Sequence, residues 1–235
     1  MLARSNRLLR RALLGAAILS AGCAPRTLTE TEIAFSDSVM GSALNTSSVR
    51  IVNGAVVGLL SATYNPRPRT TCRERLRPPR SEPVRGYFAA FVLGETVYYS
   101  RRTWQEDFLS EYPAEMELRE AMRLAHELTH VWQWQNRAVT GYHPFKAARE
   151  HIERDDPYLI EIDENRPFLD YSYEQQGILV EEFVCCRALD PDGLRTEQLA
   201  RVVAQVFPDA APAEVVARPG ITLAWSEAET EGICS

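Results

Sequence analysis

Apolar side chains recur at helical spacing through one long stretch, from about Pro113 to Arg137. Ala121, Leu124, Ala125, Leu128, Val131 and Trp132 fall there on a single stripe, which predicts an amphipathic helix. A second helix is predicted over Tyr173–Leu189 and a third over about Thr196 to Val206. Upstream the period changes. "VRIVNGAVVGLL" has the β-branched content of a strand, and "GYFAAFVLGETVYYS" reads as two apolar runs separated by a Gly-Glu turn, a hairpin. Between them, residues 64–85 hold five prolines and seven arginines, so this stretch is read as a loop. Strands come before helices rather than alternating with them, which gives an α+β class. Residues 24–48 are small and polar with scattered apolar positions and read as a tether, so the folded domain is expected over 49–235.

The first residues carry a different pattern. Arg4, Arg7, Arg10 and Arg11 form a basic segment, followed by the short apolar run Ala12 to Ala21. That is the layout of an export signal, expected over residues 1–22, and the run is too short to span a bilayer as a helix. "LSAGC" resembles the bacterial lipoprotein box, which implies lipid attachment at Cys23 and a membrane-anchored protein facing the periplasm or the cell surface. Ser20 departs from that pattern, which prefers leucine there, and simple cleavage near Gly22 is the alternative.

Cysteine arithmetic agrees with export. Beyond Cys23 there remain Cys72, Cys185, Cys186 and Cys234, an even set suited to two disulfides in an oxidising compartment. Cys185 and Cys186 are adjacent, so each is expected to pair elsewhere, with Cys72 and Cys234 as partners. The formal charge is −6, falling to about −10 without the four signal arginines. An acidic domain with no basic stripe along the sequence argues against nucleic acid as a partner.

The chemistry sits on the long helix, in "AHELTHVWQWQ". At about 100° per residue, His126 and His130 point the same way, roughly 40° apart, on the side opposite Leu124, Leu128 and Val131. Two imidazoles one turn apart supply two ligands for a zinc ion. Glu127 beside them is placed to take a proton from water without being a ligand. This H-E-x-x-H pattern resembles the zincin metallopeptidases, which implies His126 and His130 as Zn²⁺ ligands and Glu127 as the general base. The metzincin branch would need glycine at 133 and histidine at 136, where this chain has Gln133 and Asn136. The third ligand is left among His143, His151 and a glutamate of the second helix, as in gluzincins. Glu174 and Glu181 share a face of that helix, but lie about 10.5 Å apart along its axis, so at most one binds the same ion. Glu182 is turned roughly 80–100° away from that face.

A narrower resemblance covers about residues 90–185. "VLGETVYYS", "HELTHVWQWQ" and "FLDYSYEQQGILVEEF" are similar, in that order, to bacterial zincin-like proteins of the Vgr- or Rhs-related group. It implies Glu174 of "YEQQ" as the third ligand, with Glu181 next in line. Many gluzincins carry an acid one turn after the ligand to support a histidine, and here Ile178 holds that place. The resemblance also implies an edge strand for an extended peptide substrate, around Tyr98 and Tyr99. Trp134 and Gln133 are expected near the histidine face, and Tyr158, Tyr171 and Tyr173 are candidates to donate to an oxyanion. The expected function is an exported, lipid-anchored zinc peptidase acting on a peptide or protein. The alternatives are a non-catalytic zincin-fold module that binds a secretion-system or envelope component, and an amidase acting on peptidoglycan.

Overall fold

A computed structural model describes residues 24–54, 59, 61–153, 156–210 and 220–235. The expected signal segment 1–22 and Cys23 lie outside the described residues. The class is α+β, as the pattern predicts, built from short sheets packed on helices. The first element corrects the expected tether. Residues Glu30–Met40 form a helix, α1, whose Phe35, Val39 and Met40 are buried in the core. A capping box starts it: the Thr29 hydroxyl accepts from the Glu32 N–H at 3.2 Å, and the Glu32 carboxylate accepts from the Thr29 N–H at 3.0 Å. Arg26 clamps the same carboxylate with two guanidinium nitrogens, at 2.7 and 2.8 Å. The folded domain therefore includes the segment read as a tether.

The main sheet is formed by β1 (Arg50–Asn53), β4 (Ala90–Leu93) and β5 (Thr96–Tyr99). The order is β1-β5-β4, with β1 parallel and β4 antiparallel to β5. The β4–β5 hairpin turns at Gly94 and Glu95, as expected, and Gly94 takes the positive φ of 64° that this tight turn requires. Tyr98 and Tyr99 lie on the central strand, which corrects their expected edge position; β4 is the outer strand on that side. The β1–β5 pairing links strands more than 40 residues apart in sequence, so the local pattern does not report it.

The Pro- and Arg-rich stretch connects β2 (Ser61–Tyr64) to β3 (Val84–Tyr87), which pair antiparallel. Within it stands one helical turn, α2 (Cys72–Arg75). The strand β6 (Glu115–Glu117) pairs with β7 (Gly220–Thr222), so the predicted long helix begins only at Leu118. That helix, α3 (Leu118–Gln135), is capped by the Glu117 carboxylate, which accepts from the Glu120 N–H at 3.1 Å. The short α4 (Arg137–Thr140) and α5 (Pro144–Glu153) follow, then α6 (Tyr173–Leu189) at the predicted bounds, and α7 (Leu194–Val203).

The core lies where α3 packs on α6. Leu118, Leu124, Leu128 and Val131 of α3 and Ile178, Leu179, Val180 and Val184 of α6 are all at most 1% exposed. Each such side chain contributes about 1.5–3 kcal/mol by leaving water. Two disulfides fasten α6 to its surroundings, Cys72–Cys185 and Cys186–Cys234, with Cα separations of 6.1 and 5.6 Å. Successive helical residues point about 100° apart, so the adjacent cysteines reach different partners, as the sequence predicts. No helix among the described residues is long and apolar enough to cross a membrane.

Candidate metal centre

Helix α3 carries His126 and His130 on one face, and α6 brings Glu174, in its first turn, against them. The two Nε2 atoms are 3.2 Å apart. Glu174 Oε2 lies 3.4 Å from His126 Nε2, and Oε1 lies 3.5 Å from His130 Nε2. All three residues are buried, and their ligand atoms lie within 4.8 Å of one another, a group able to hold a metal ion. A tetrahedral ion with bonds of about 2.0–2.1 Å separates its ligand atoms by about 3.3–3.4 Å, close to the spacings found here. The donor set is two imidazoles and a carboxylate, and its geometry fits such an ion.

The surroundings fix which nitrogens face the centre. Gln133 Nε2 donates to the Tyr173 carbonyl at 3.0 Å and to Gln176 Oε1 at 2.8 Å, so its Oε1 is the atom turned to His130 Nδ1, at 2.8 Å. A carbonyl oxygen accepts, so His130 carries its proton on Nδ1 and presents the Nε2 lone pair to Glu174 and His126. On the neighbouring ring, Glu181 Oε2 sits 3.3 Å from His126 Nδ1 and selects the same tautomer. Glu181 is held in turn by Arg73 Nη1, also at 3.3 Å. The supporting acid that Ile178 does not provide is therefore supplied by Glu181, two turns after Glu174. Glu174 faces one nitrogen of His126 and Glu181 faces the other.

Backbone contacts set the position of Glu174. The Glu150 carboxylate of α5 accepts from the Tyr173 and Glu174 N–H groups, at 3.0 and 3.1 Å, and so caps α6 with a negative charge at the positive end of its dipole. Gly177, one turn on, lets the His126 ring lie directly on α6: a Cβ there would stand 2.8 Å from Cε1 and 2.9 Å from Nδ1 of that ring. Glu182, turned away from the centre as predicted, is fully buried and accepts from the Cys72 and Arg73 N–H groups, both at 2.9 Å. It thereby holds α2, and with it Arg73, in place.

His151, a third-ligand candidate, is brought to the rim of the centre: it stays exposed on α5, yet its Nε2 lies 3.0 Å from Glu174 Oε1. His143 is not brought in; its Nδ1 accepts from the Phe145 N–H at 3.2 Å in a local turn. Of the tyrosine candidates, Tyr173 donates to the Gly141 carbonyl at 2.8 Å, and the Tyr171 hydroxyl is engaged with the Asp163 backbone. Tyr158 does border the centre, with its ring 6.2 Å from His126 and the Arg67 and Arg73 guanidiniums 5.3 and 5.5 Å from the ring. Gln133 is at the centre as expected. Trp134 is not, and packs under Arg137 instead. Tyr142, which the sequence reading did not single out, stacks on His130 with ring centroids 6.3 Å apart.

The buried charges set one another's protonation. Burial alone would lower His126, but hydrogen bonding and charge from Glu174 and Glu181 outweigh it and raise the ring to about 10. His130 is raised for the same reason, by Glu174 against burial. Burial would raise Glu174, yet the His130 charge and hydrogen bonds from His126, His130 and His151 hold it well below the carboxylate range. Glu181 likewise resists burial and falls to about 2, under Arg73 and His126. Glu127 goes the other way: burial pushes its carboxyl up, against the opposing pull of His126 and His130.

A cleft of about 710 Å³ opens onto this centre. His126, Glu127, Tyr158 and Glu181 line one part of it, the stretch from β3 into the start of β4 lines another, and arginines of the 64–85 loop complete the wall. No family model and no curated protein matches the chain. Among solved structures, the effector domain of Pseudomonas aeruginosa VgrG2b is similar, at 21% identity and a TM-score of 0.48, covering 78% of this chain and 84% of that one.

Proposed function

We propose that the chain is a zinc-dependent hydrolase of the zincin type, and specifically a peptidase, exported and held to a membrane by a lipid on Cys23. The observation that carries this reading is the donor set itself. Two buried imidazoles and a buried carboxylate lie 3.2–3.5 Å apart, and one of them, His126, lines the cleft together with Glu127. His126, His130 and Glu174 would hold Zn²⁺. Bound there, it would supply a Lewis acid for a carbonyl oxygen and a lowered pKa for water, toward 7.

The chain's own groups do the rest. Gln133 and Glu181 keep the Nδ1 positions of the two histidines protonated and their Nε2 lone pairs inward. Glu127 takes the proton of the attacking water and delivers it to the leaving nitrogen. The two disulfides support export, since such bonds persist in oxidising compartments. A purely structural zinc site is closed by four protein ligands, whereas the donor group among the described residues has three. This weighs against the non-catalytic module.

Cleavage of a mixed peptide library tests the reading. Glu127→Gln is expected to retain stoichiometric zinc and lose turnover, and His126→Ala to lose the metal. A Glu127→Gln protein as active as the wild type would refute the assigned chemistry.

A further inference from the structure

The cleft wall is strongly cationic, and its charges are poorly balanced. Arg67, Arg73 and Arg77 converge on a single carboxylate, Glu74, at 3.2, 3.8 and 3.8 Å. Arg67 has Asp156 as a second partner and Arg73 has Glu181, but among the described residues Arg77 pairs with no other acid. Two further arginines of the same wall pair with no carboxylate among the described residues. Among the described residues, Arg80 makes no hydrogen bond or ion pair, and Arg85 has only the Ser61 hydroxyl at 2.9 Å and the Tyr87 ring. Glu82, which also lines the wall, pairs with none of them. Across the cleft, Arg119 and Arg123 of α3 share one acid, Glu120. The chain as a whole carries −6, so this concentration of positive charge runs against its net charge.

We infer that the cleft selects acidic polypeptide segments, with aspartate or glutamate side chains of the substrate supplying the counter-charges that Arg80 and Arg85 lack and that Arg77 only shares. The cationic wall begins beside the metal centre, because Arg73 both holds Glu181 and lies against Tyr158, whose ring borders His126. Arg77, Arg80 and Arg85 line the same cleft as His126 and Glu127, so a polypeptide lying along it passes the unbalanced arginines. Guanidinium is suited to this role, since its planar fork matches a carboxylate with two parallel hydrogen bonds. The inference rests on the peptidase reading for the identity of the chain that is bound. A nucleic acid would be repelled by the net negative surface outside the cleft.

Three fluorescent peptides of equal length, with acidic, neutral and basic residues flanking one central segment, provide the test. Binding is measured by anisotropy on zinc-loaded Glu127→Gln protein, and kcat/KM on the wild type. Acidic peptide is expected to bind at least tenfold more tightly than neutral, and basic peptide more weakly than either. The order should collapse in 1 M salt, where the Debye length falls to about 3 Å. Arg80→Glu and Arg85→Glu, both at exposed positions, should each reduce the acidic-to-neutral ratio by roughly threefold to tenfold.

Equal binding of the three peptides, or an unchanged ratio in both variants, would overturn the inference. So would single-stranded DNA or a sulfated glycan displacing the acidic peptide at lower concentration than unlabelled peptide does. Charge-ordered binding with no cleavage of any peptide would instead count against the peptidase reading and leave the charge selection standing. Cleavage without charge order would do the reverse.

Discussion

Gly177→Ala separates the stability of α6 from the geometry of the centre. A methyl group on Gly177 would stand 2.8, 2.9 and 3.1 Å from Cε1, Nδ1 and Nε2 of His126, where ordinary contact begins near 3.4 Å. The ring must therefore retreat by roughly half an ångström, or the two helices must part by as much. The ring has little freedom to retreat, because Glu174 and Glu181 face its two nitrogens at 3.4 and 3.3 Å and His130 lies across it. Two opposing energies follow. Alanine in place of glycine inside a helix gains about 1 kcal/mol, and overpacking a filled contact costs about 1–3 kcal/mol. The metal-free protein should consequently lose between about 0 and 2 kcal/mol.

Metal affinity should respond far more. Ligand positions tolerate only about ±0.2 Å, and disturbing the support of a ligating histidine typically costs about 10–100-fold. The assay is a zinc competition titration against a chromophoric chelator, paired with thermal melting in excess chelator. The expected result is a melting temperature within a few degrees of the wild type and a zinc affinity at least tenfold lower. A variant that gains about 1 kcal/mol of stability and keeps its affinity within about twofold would show that the His126 ring is not clamped. The account of Glu174 and Glu181 gripping its two sides would then be wrong.

Glu181→Gln should weaken zinc binding by about 10–100-fold while leaving the metal present at saturation, read by the same titration, because the amide no longer favours the Nδ1–H tautomer of His126. Cys72→Ser with Cys185→Ser opens a loop of 113 residues, a change worth up to about 4–5 kcal/mol in chain entropy, checked by denaturant unfolding. The same double variant should lower zinc affinity as well, because α2, which carries Arg73 to Glu181, loses its covalent tie. Unchanged affinity there would mean that Glu182 alone holds α2 in place.

What the sequence made legible was local. The α6 bounds, the Gly-Glu hairpin and the α3 stripe each follow from a periodicity within one segment. The even cysteine set constrained a longer-range feature because adjacent half-cystines on a helix diverge. Helix α1 was missed although its signal was present: Thr29 with Glu32 three residues on is a capping box, and Phe35 and Val39 are one turn apart. Serines and threonines around them diluted the apolar stripe below notice. The sheet order was not legible at all. Nothing near Tyr98 records that β1, from far upstream, lies parallel along it and makes it a central strand.

The centre shows the same division, with one instructive exception. His126, Glu127 and His130 are read from five consecutive residues, whereas His151 required knowing that α5 folds onto the start of α6, a contact between segments. Glu181 was within reach of sequence reasoning. Its distance from Glu174, about 10.5 Å along the helix, correctly excludes both from one ion. The same distance fits two carboxylates with an imidazole lying between them, because the ring offers nitrogens on opposite sides. Gly177 between the two glutamates is what admits that ring. A glycine midway between two acids seven residues apart on a helix facing an H-E-x-x-H segment therefore encodes both a ligand and the group that orients its partner.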